Sequence, residues 1–112
     1  MESDCLFCKI SHGQTPTEIL FENGTLVVFK DINPAAPVHL LIVPKKHIRS
    51  VNDLTAGDQP ILSEMVMAAR QMAVAQGVDK SGYRIFINVE RGGGQVIFHL
   101  HMHLIAGFRK TG

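Results

Sequence analysis

The sequence predicts an α+β fold, in which one long helix lies across a face of a mostly antiparallel sheet of about five strands. Three observations predict this architecture. Short segments rich in β-branched and aliphatic residues recur along the 112 residues, an Asn-Gly pair joins the first two segments, and one longer segment has a helical period. The length fits a single domain, 1–112, that buries roughly two-thirds of its unfolded surface.

The first two predicted strands form a hairpin. Residues 18–22 and 25–30 are apolar stretches on either side of Asn23-Gly24, a dipeptide typical of a two-residue turn. Residues 31–37 contain prolines that lack the N–H a central strand needs, so this segment predicts a loop. The aliphatic run 39–43, which ends at Pro44, predicts a buried third strand.

Residues 58–76 carry apolar side chains at intervals of about 3.6 residues, which predicts an amphipathic helix. Asp58 is the expected N-cap, because Pro60 then falls in the first turn, where its missing N–H is harmless. Gly77 is expected to end the helix. Residues 83–89 then predict a further strand.

Three histidines occupy alternate positions of the last predicted strand, 99–105. Successive side chains of a strand point to opposite faces, so His99, His101 and His103 share one face, and the apolar residues between them share the other. This strand is expected to return beside the preceding one in a final hairpin, with glycines 92–94 at the turn. Imidazole is the side chain that titrates near neutrality, attacks phosphorus and ligates metals.

Three interpretations of this imidazole face compete: a solvated polar face of an edge strand, a metal site, and a row laid along an extended anionic substrate. A metal ion would bind two of the histidines at most, because alternate residues of a strand are about 6.6 Å apart and a Zn–N bond is about 2.0–2.1 Å. The adjacent glycines favour a phosphate, since main-chain N–H groups without a neighbouring Cβ can approach an anion closely.

Composition narrows the class of partner. Hydrophobic residues make up 46% of the chain and charged residues 19%, which indicates a globular protein. The net charge of +1 gives no electrostatic argument for a nucleic-acid or membrane partner. The N-terminus has no apolar signal segment and no apolar run reaches about 18 residues, so we expect a cytoplasmic protein.

The two cysteines form a C-x-x-C motif at Cys5 and Cys8. In isolation such a motif is a redox pair, half of a zinc site or a coincidence. The redox interpretation is the weaker one, because a thioredoxin-like motif follows a strand and almost no chain precedes Cys5. In a reducing cytoplasm we expect thiols or metal ligands rather than a disulfide.

Several blocks of the sequence match one known family in the same order. They are Cys5-Leu6-Phe7-Cys8-Lys9-Ile10, Phe29-Lys30-Asp31-Ile32-Asn33-Pro34, the segment from His39 to Ile48, Asn88, and His99-Leu100-His101-Met102-His103-Leu104-Ile105. The chain thereby resembles the histidine triad (HIT) superfamily of nucleotide hydrolases and transferases. It is most similar to the nucleotide-binding (Hint-like) branch, in its zinc-bearing bacterial form, whose members cleave adenosine phosphoramidates and related acyl-adenylates.

The resemblance implies the HIT fold, which adds a short N-terminal helix to the predicted elements, and it implies a homodimer. It also implies a structural Zn²⁺ held by Cys5, Cys8, His47 and His99. Two thiolates and two neutral imidazoles suit tetrahedral zinc and leave no open position. No catalytic metal is expected to be required.

The implied reaction is hydrolysis of a nucleoside 5′-phosphoramidate or an acyl-adenylate to AMP. By the family pattern His101 is the nucleophile, since a neutral imidazole attacks phosphorus and then leaves readily. It would form a nucleotidyl-histidine intermediate that water resolves. His103 and His39 are expected to bind the non-bridging oxygens, and His99 is expected to orient His101.

The resemblance also implies the binding residues for a purine nucleotide. Asp31 would accept the ribose hydroxyls, while Phe29 and Ile32 would line the base pocket. The remaining implied contacts, to the phosphate or the leaving group, are the Asn88 side chain, main-chain N–H groups near Gly94 and Gln95, and Val96, where many members of the branch have a serine. Valine donates no hydrogen bond, so the chain departs from the branch on the leaving-group side.

Three alternative functions remain open. A diadenosine polyphosphate hydrolase would use the same histidines on a longer phosphate chain. A non-catalytic nucleotide-binding or scaffold protein would keep the pocket for sensing. A metalloenzyme would hold a catalytic zinc ion with two of the three alternating histidines.

Overall fold

The structure, a computed structural model, describes residues 5–15 and 17–107. Its helices and strands are α1 (Leu6–Ser11), β1 (Ile19–Glu22), β2 (Leu26–Lys30), β3 (Val38–Pro44), α2 (Gln59–Ala75), β4 (Tyr83–Phe86) and β5 (Met102–Ala106). The strands form one sheet in the order β1-β2-β3-β5-β4, and every neighbouring pair is antiparallel. The predicted α+β architecture, with one long helix and a short N-terminal helix, is confirmed. Within these residues, no helix combines the length and apolar character needed to cross a membrane.

The first hairpin forms at the predicted place, but its turn is different. The N–H of Asn23 donates to Leu26 O at 3.0 Å, so Gly24 and Thr25 are the two central residues, and neither has a positive φ. The side-chain Oδ1 of Asn23 accepts from the N–H groups of Thr25 and Leu26 at 2.8 and 2.7 Å. Asparagine therefore precedes this turn and holds it through its side chain, instead of being its first central residue.

The sheet is covered on both faces. The first apolar cluster joins β2 and β3 to α2 and includes Leu26, Val28, Leu40, Ile42, Met65, Ala68, Ala69 and Ala73. The second, on the opposite face, joins the same strands to α1 and consists of Phe7, Ile10, Val27, Phe29, Leu41 and Val43. Strands buried on both faces need continuous apolar runs, which is why β2 and β3 show no polar alternation. His103 lies directly across the ladder from Leu41, so the histidines belong to the α1 face.

The long helix α2 lies between Asp58 and Gly77, the two residues expected to bound it. Asp58 occupies the N-cap position, but its side chain makes no bond to the helix. Its carboxylate instead accepts from Lys46 Nζ at 2.6 Å and from the N–H of Thr55 at 3.0 Å. These bonds, with Lys46 the largest cause, hold the pKa of Asp58 below its ordinary value. Pro60 lies in the first turn, and Gly77 adopts a φ of +74° after the last turn.

The histidine strand is shorter than the alternating pattern predicted. Only His103 of the three histidines lies in β5, which begins at Met102. Ahead of this strand the N–H of Leu100 donates to Ile48 O at 2.6 Å, so the backbone at 99–101 is held by the segment after β3. The apolar side of the pattern persists, because Leu100, Met102 and Leu104 are buried in the α2 cluster. The three imidazole rings therefore do not form a single row along one strand.

The strand predicted at 83–89 ends at Phe86, so Asn88 lies in the loop that follows. The glycines of this loop form a short 3₁₀ turn, Arg91–Gly93, after which Gly94 has a φ of +93°. Glu90, ahead of the turn, has a φ of +60°. These positive φ values turn the chain back toward β5.

Candidate active site

A cavity of about 620 Å³ lies beside α1 on the sheet face that carries the histidines. Its described wall consists of Leu6, Phe7, Ile10, Thr15, Thr17, Phe29, Lys30, Asp31, Ile32, Asn33, Leu41, Val96, Ile97, His101 and His103. The wall is largely apolar, with a few convergent polar groups. This size and composition are typical of a small-molecule site.

His101 borders the cavity and is itself buried, with 5% of its surface exposed. Its Nδ1 lies 2.7 Å from the carbonyl oxygen of His99. A carbonyl only accepts, so Nδ1 carries the proton and Nε2 carries the lone pair. Burial lowers the pKa of His101 below its ordinary value. The ring is therefore neutral at pH 7, and the nitrogen with the lone pair is Nε2 of a residue that lines the cavity.

His103 and His39 form a hydrogen-bonded pair beside His101. His39 Nε2 lies 2.9 Å from His103 Nδ1 and 3.4 Å from Asp31 Oδ2. The His103 ring stacks on Phe86 of the neighbouring strand, with ring centroids 4.7 Å apart and planes inclined by 8°. Burial lowers the pKa of His103 to about 4. The Nε2 atom of His103 is buried and has no hydrogen-bond partner in the described part of the chain.

Phe7 of α1 connects His101 to the apolar wall of the cavity. Its ring is 3% exposed and meets the His101 ring edge-on, with centroids 4.9 Å apart and planes at 85°. It also contacts the rings of Phe29 and His99, at 5.5 and 6.0 Å. One aromatic side chain thus fixes the position of His101 from the side of the N-terminal helix.

The residues expected to bind a nucleoside lie together at the end of β2. Phe29, Asp31 and Ile32 all line the cavity. Phe29 is buried, whereas the Ile32 side chain is 89% exposed. The Asp31 carboxylate uses Oδ1 to accept from the N–H of Asn33 at 2.8 Å, which leaves other acceptor positions for a ligand.

A cluster of potential metal ligands lies next to the cavity. Cys5, Cys8, His47 and His99 each offer one ligand atom, and these atoms lie within 4.8 Å of one another. Cys5 Sγ and Cys8 Sγ are 3.2 and 3.4 Å from His99 Nδ1, and Cys8 Sγ is 3.1 Å from His47 Nδ1. With bonds of about 2.3 Å to sulfur and about 2.0–2.1 Å to nitrogen, tetrahedral zinc would separate such ligand atoms by about 3.5 Å. The residues present therefore fit zinc.

The protonation of His99 also suits a metal. Its Nε2 lies 2.8 Å from the carbonyl oxygen of Pro44, so the proton is on Nε2 and the Nδ1 lone pair faces the two sulfur atoms. Burial lowers the pKa of His99 to about 4, which keeps the ring neutral. A neutral imidazole is the form that binds metal.

Comparisons with known proteins show the family of this chain. A family model described as scavenger mRNA decapping enzyme C-term binding matches residues 4–111. Protein HitA of Neisseria gonorrhoeae is 43% identical over 102 residues, which cover 91% of this chain and 94% of that protein. The chain belongs to the histidine triad family.

Other HIT proteins are similar over nearly the same length. The purine nucleoside phosphoramidase of Escherichia coli (strain K12) is 37% identical over 107 residues, covering 96% of this chain and 90% of that enzyme. A HIT family hydrolase from Legionella pneumophila Philadelphia 1 superposes with a TM-score of 0.92 at 45% identity and covers 96% of both chains. A zinc-bound histidine triad family protein from Mycobacterium smegmatis has a TM-score of 0.83 at 27% identity, over 94% of this chain and 76% of that one. The predicted HIT resemblance and fold are confirmed.

The glycine loop is closed by hydrogen bonds of its own backbone. The N–H of Gly94 donates to Arg91 O, and the N–H of Gln95 donates to Glu90 O, each at 3.0 Å. The Gln95 side chain is 3% exposed and holds the loop, accepting from the N–H of Glu90 at 2.7 Å and donating to Arg49 O at 2.8 Å. Both N–H groups are therefore engaged within the loop in this structure, and the expected main-chain contact to an oxyanion stays a prediction.

Of three other expected site residues, one lines the described cavity wall and two do not. The described cavity wall does not include Asn88, whose Nδ2 lies 3.5 Å from the carbonyl oxygen of Gly94. Val96 lines the cavity and is 84% exposed. The ring of His99 lies with the potential metal ligands, while its main-chain carbonyl oxygen accepts from His101 Nδ1.

Sequence reasoning assigned no role to several residues that shape the site. The α1 residues Leu6, Phe7 and Ile10 form one wall of the cavity. In the sequence these apolar residues are interspersed with the two cysteines. This pattern could have indicated a helix with a metal site on one side and a substrate pocket on the other. The stacking of Phe86 on His103 follows from the register of β4 and β5, which the sequence alone does not reveal.

Proposed function

We propose that the protein hydrolyses nucleoside 5′-phosphoramidates or acyl-adenylates to the nucleoside monophosphate, through a covalent intermediate on His101. One observation carries this proposal. The carbonyl oxygen of His99 accepts a hydrogen bond from His101 Nδ1–H, so the lone pair of the neutral ring is on Nε2, in a residue that lines a nucleotide-sized cavity. The similarity to a purine nucleoside phosphoramidase supports the same reaction class.

The proposed reaction has two displacements at phosphorus. In the first, His101 Nε2 forms a bond to the α-phosphorus, and the bond from phosphorus to the amine nitrogen or acyl oxygen breaks; the amine takes a proton from water as it leaves, whereas an acyl group leaves as its carboxylate. In the second, water attacks the same phosphorus and gives up a proton to the solvent, the P–N bond to His101 breaks, and the nucleoside monophosphate leaves. An imidazole suits both steps because it is nucleophilic when neutral and a good leaving group once phosphorylated.

His103 would bind a non-bridging phosphoryl oxygen during both steps. Its buried Nε2 has no partner in the described structure, and leaving a buried polar group unpaired costs about 1–3 kcal/mol. A phosphoryl oxygen would remove that penalty, and the bond would strengthen as charge grows in the transition state. His39 supports His103 through the 2.9 Å hydrogen bond between their rings.

The nucleoside would occupy the α1 side of the cavity. The purine would pack between the α1 wall and Ile32, while the free acceptor positions of Asp31 would bind the ribose hydroxyls. An apolar wall with one carboxylate at its rim discriminates poorly between adenine and guanine. We therefore propose a purine nucleotide of the AMP type without assigning the base.

The metal cluster would hold a structural zinc ion. Four protein ligands, Cys5, Cys8, His47 and His99, complete a tetrahedron. Bound zinc would tie α1 to the segment that carries His101. The site needs both cysteines as thiolates, which a reducing cytoplasm maintains, and we propose that the protein works there without a catalytic metal.

We also propose a homodimer. Apolar side chains that are 46–57% exposed, Val66, Met67 and Val74, lie on one side of α2, and β4 is an edge strand with a partly exposed Ile85. A second copy is the occupant that a symmetric pairing of helices and strand edges favours. Light scattering coupled to size-exclusion chromatography should give twice the monomer mass for the wild type, and Val66→Glu with Met67→Glu should give the monomer mass. A wild-type monomer at micromolar concentration contradicts this proposal.

The test of the reaction is to trap the covalent intermediate. An adenosine phosphoramidate is mixed with the zinc-loaded protein, quenched in base and analysed by intact mass. The wild type should gain the mass of one adenylyl group, and His101→Ala should gain none while still binding AMP. His12→Ala is the matched control, because His12 is an exposed histidine outside the cavity wall. Turnover by His101→Ala refutes the proposal, and AMP binding without turnover in the wild type indicates a binding-only protein.

A further inference from the structure

We propose that the main-chain N–H of Ala35 sets the proton positions on His39 and His103, and so makes His103 a hydrogen-bond donor toward the substrate. This inference rests on the proposed function, since it names the group that prepares the donor used there. Ala35 lies in the loop between β2 and β3, outside the described cavity wall. It is a positioning residue that acts through its backbone.

The first link joins Ala35 to His39. The Ala35 N–H donates to His39 Nδ1 at 3.0 Å. An N–H group cannot accept, so His39 Nδ1 must carry a lone pair, and the proton of the neutral ring must be on Nε2. His39 is 8% exposed, so water has little access to offer either nitrogen an alternative partner.

The second link joins His39 to His103. His39 Nε2 faces two acceptors, His103 Nδ1 at 2.9 Å and Asp31 Oδ2 at 3.4 Å. An ionised carboxylate only accepts, so Asp31 favours the same proton position that Ala35 requires. Because His103 Nδ1 accepts from His39, the proton of the neutral His103 ring lies on Nε2.

The third link joins His103 to the substrate. His103 Nε2 is the buried atom without a partner among the described residues, and in this chain of bonds it carries a proton. With the opposite proton positions, His39 Nδ1–H would oppose the Ala35 N–H, and His103 Nε2 would direct a lone pair at any phosphoryl oxygen. The Ala35 N–H lies closer to His39, at 3.0 Å, than the Asp31 carboxylate that favours the same form, at 3.4 Å, and it thereby sets whether His103 attracts or repels the substrate.

The same bond argues against a metal ion at these residues. Asp31, His39 and His103 each offer a ligand atom, and these atoms also lie within 4.8 Å of one another. A metal on His39 Nε2 would require the proton on Nδ1, where the Ala35 N–H already donates. The loop therefore favours a hydrogen-bonded pair over a metal site.

Proton positions can be measured directly in the zinc-loaded protein labelled with ¹⁵N-histidine. Two-bond ¹H–¹⁵N correlation spectra near neutral pH distinguish the two neutral forms, and His39→Gln and His103→Gln identify the signals. We expect Nε2–H on His39 and His103, and Nδ1–H on His101. A proton on Nδ1 of His39 or His103 overturns the proposal. This readout does not involve turnover, so it is independent of whether the proposed reaction occurs.

The role of the Ala35 N–H is tested by semisynthesis, replacing the Pro34–Ala35 amide with an ester. The matched control is the same replacement between Ala35 and Ala36, because the Ala36 N–H makes no hydrogen bond within the described residues. The ester at Ala35 should shift the His39 and His103 protons to Nδ1 and lower kcat about 10²-fold, the typical effect of losing one transition-state donor, with a smaller change in KM. The control ester should change neither. Unchanged proton positions with the Ala35 ester overturn the proposal.

A double-mutant cycle separates this role from simple support of the loop. The side chain of His39→Gln has its own N–H₂ donor and no ring proton for Ala35 to set. In this background the Ala35 ester should cause no further loss of kcat. An equal loss in both backgrounds would mean that the N–H only holds the loop, and the proposal would be wrong.

Discussion

Truncation of Phe7 tests how α1 supports the proposed nucleophile. The ring is 3% exposed and belongs to the apolar cluster on the α1 face of the sheet. Replacing a buried phenylalanine with alanine costs about 3–5 kcal/mol. One side of Phe7 borders the cavity and not the packed core, so we expect Phe7→Ala to lower the free energy of unfolding by about 3 kcal/mol, at the low end of that range.

The same substitution should slow catalysis beyond this loss of stability. The edge-on contact of Phe7 with His101, at 4.9 Å and 85°, is of a kind worth about 0.5–1.5 kcal/mol. If that energy holds the imidazole in its reactive orientation, its loss lowers kcat by about 2–13-fold. Urea unfolding and steady-state hydrolysis of an adenosine phosphoramidate measure the two effects on the same zinc-loaded sample.

Ile10→Ala is the matched control. Ile10 is 7% exposed, belongs to the same apolar cluster and lines the same cavity, but it is aliphatic and makes no ring contact with His101. Its truncation should cost about 2–3 kcal/mol of stability and raise KM while leaving kcat near the wild-type value. If the two variants lower kcat equally, the orienting role of Phe7 is refuted.

Three further predictions concern protons, metal and ribose. In the unfolded chain His103 takes up a proton near its ordinary pKa, about 6.5, whereas burial lowers the pKa of the folded ring to about 4. The free energy of unfolding should therefore be highest above about pH 6.5 and fall as the pH drops toward 4. Urea midpoints across this range check it, and a slope unchanged in His103→Gln contradicts it. Elemental analysis should find one zinc ion per chain in the wild type and none in Cys8→Ser. Removal of the metal should weaken AMP binding in calorimetry, because α1 carries metal ligands and also forms a wall of the cavity. An unchanged affinity for AMP would argue against a coupling between the metal site and the cavity. Asp31→Asn should weaken AMP binding about 10–150-fold, from the 1.5–3 kcal/mol typical of hydrogen bonds to a charged group. A similar loss for 2′,3′-dideoxy-AMP would show that the carboxylate does not bind the ribose.

The alternating histidines show that a period-two pattern predicts which side chains share a face but not where the strand begins. The pattern placed the imidazoles on one side of the chain and Leu100, Met102 and Leu104 on the other, and those three are buried together. It did not show that the strand begins only at Met102. That boundary depends on the bond from Leu100 to Ile48, a contact between segments distant in sequence.

Neither the set of metal ligands nor the proton positions on the histidines follow from sequence spacing. The pairing of Cys5 and Cys8 with His47 and His99 came from the family resemblance, because spacing cannot show which distant residues meet. The proton positions on His99 and His101 depend on the carbonyl oxygens of Pro44 and His99. No sequence pattern encodes such contacts, so they could be read only from the folded chain.

The glycine loop shows that a sequence motif can also suggest more than the folded backbone offers. Glycines 92–94 suggested free main-chain donors, yet the N–H groups of Gly94 and Gln95 are used to close the loop on itself. A run of glycines indicates which backbone shapes are allowed, and it does not indicate which donors stay unpaired. The buried Gln95 amide, which braces the loop against Arg49, gave no recognisable signal in the sequence.

The six residues of α1 have a consequence for how this protein can evolve. The helix and its N-cap supply two of the four thiol and imidazole groups in the metal cluster and three side chains of the cavity wall. Leu6 and Phe7 are adjacent in sequence to Cys5 and Cys8, so a substitution there that reshapes the wall for a different base is expected to shift the sulfur atoms as well. Changes in metal content and in nucleotide preference are therefore expected to arise together in descendants of this chain, and a variant library confined to residues 5–10 should recover them as linked traits.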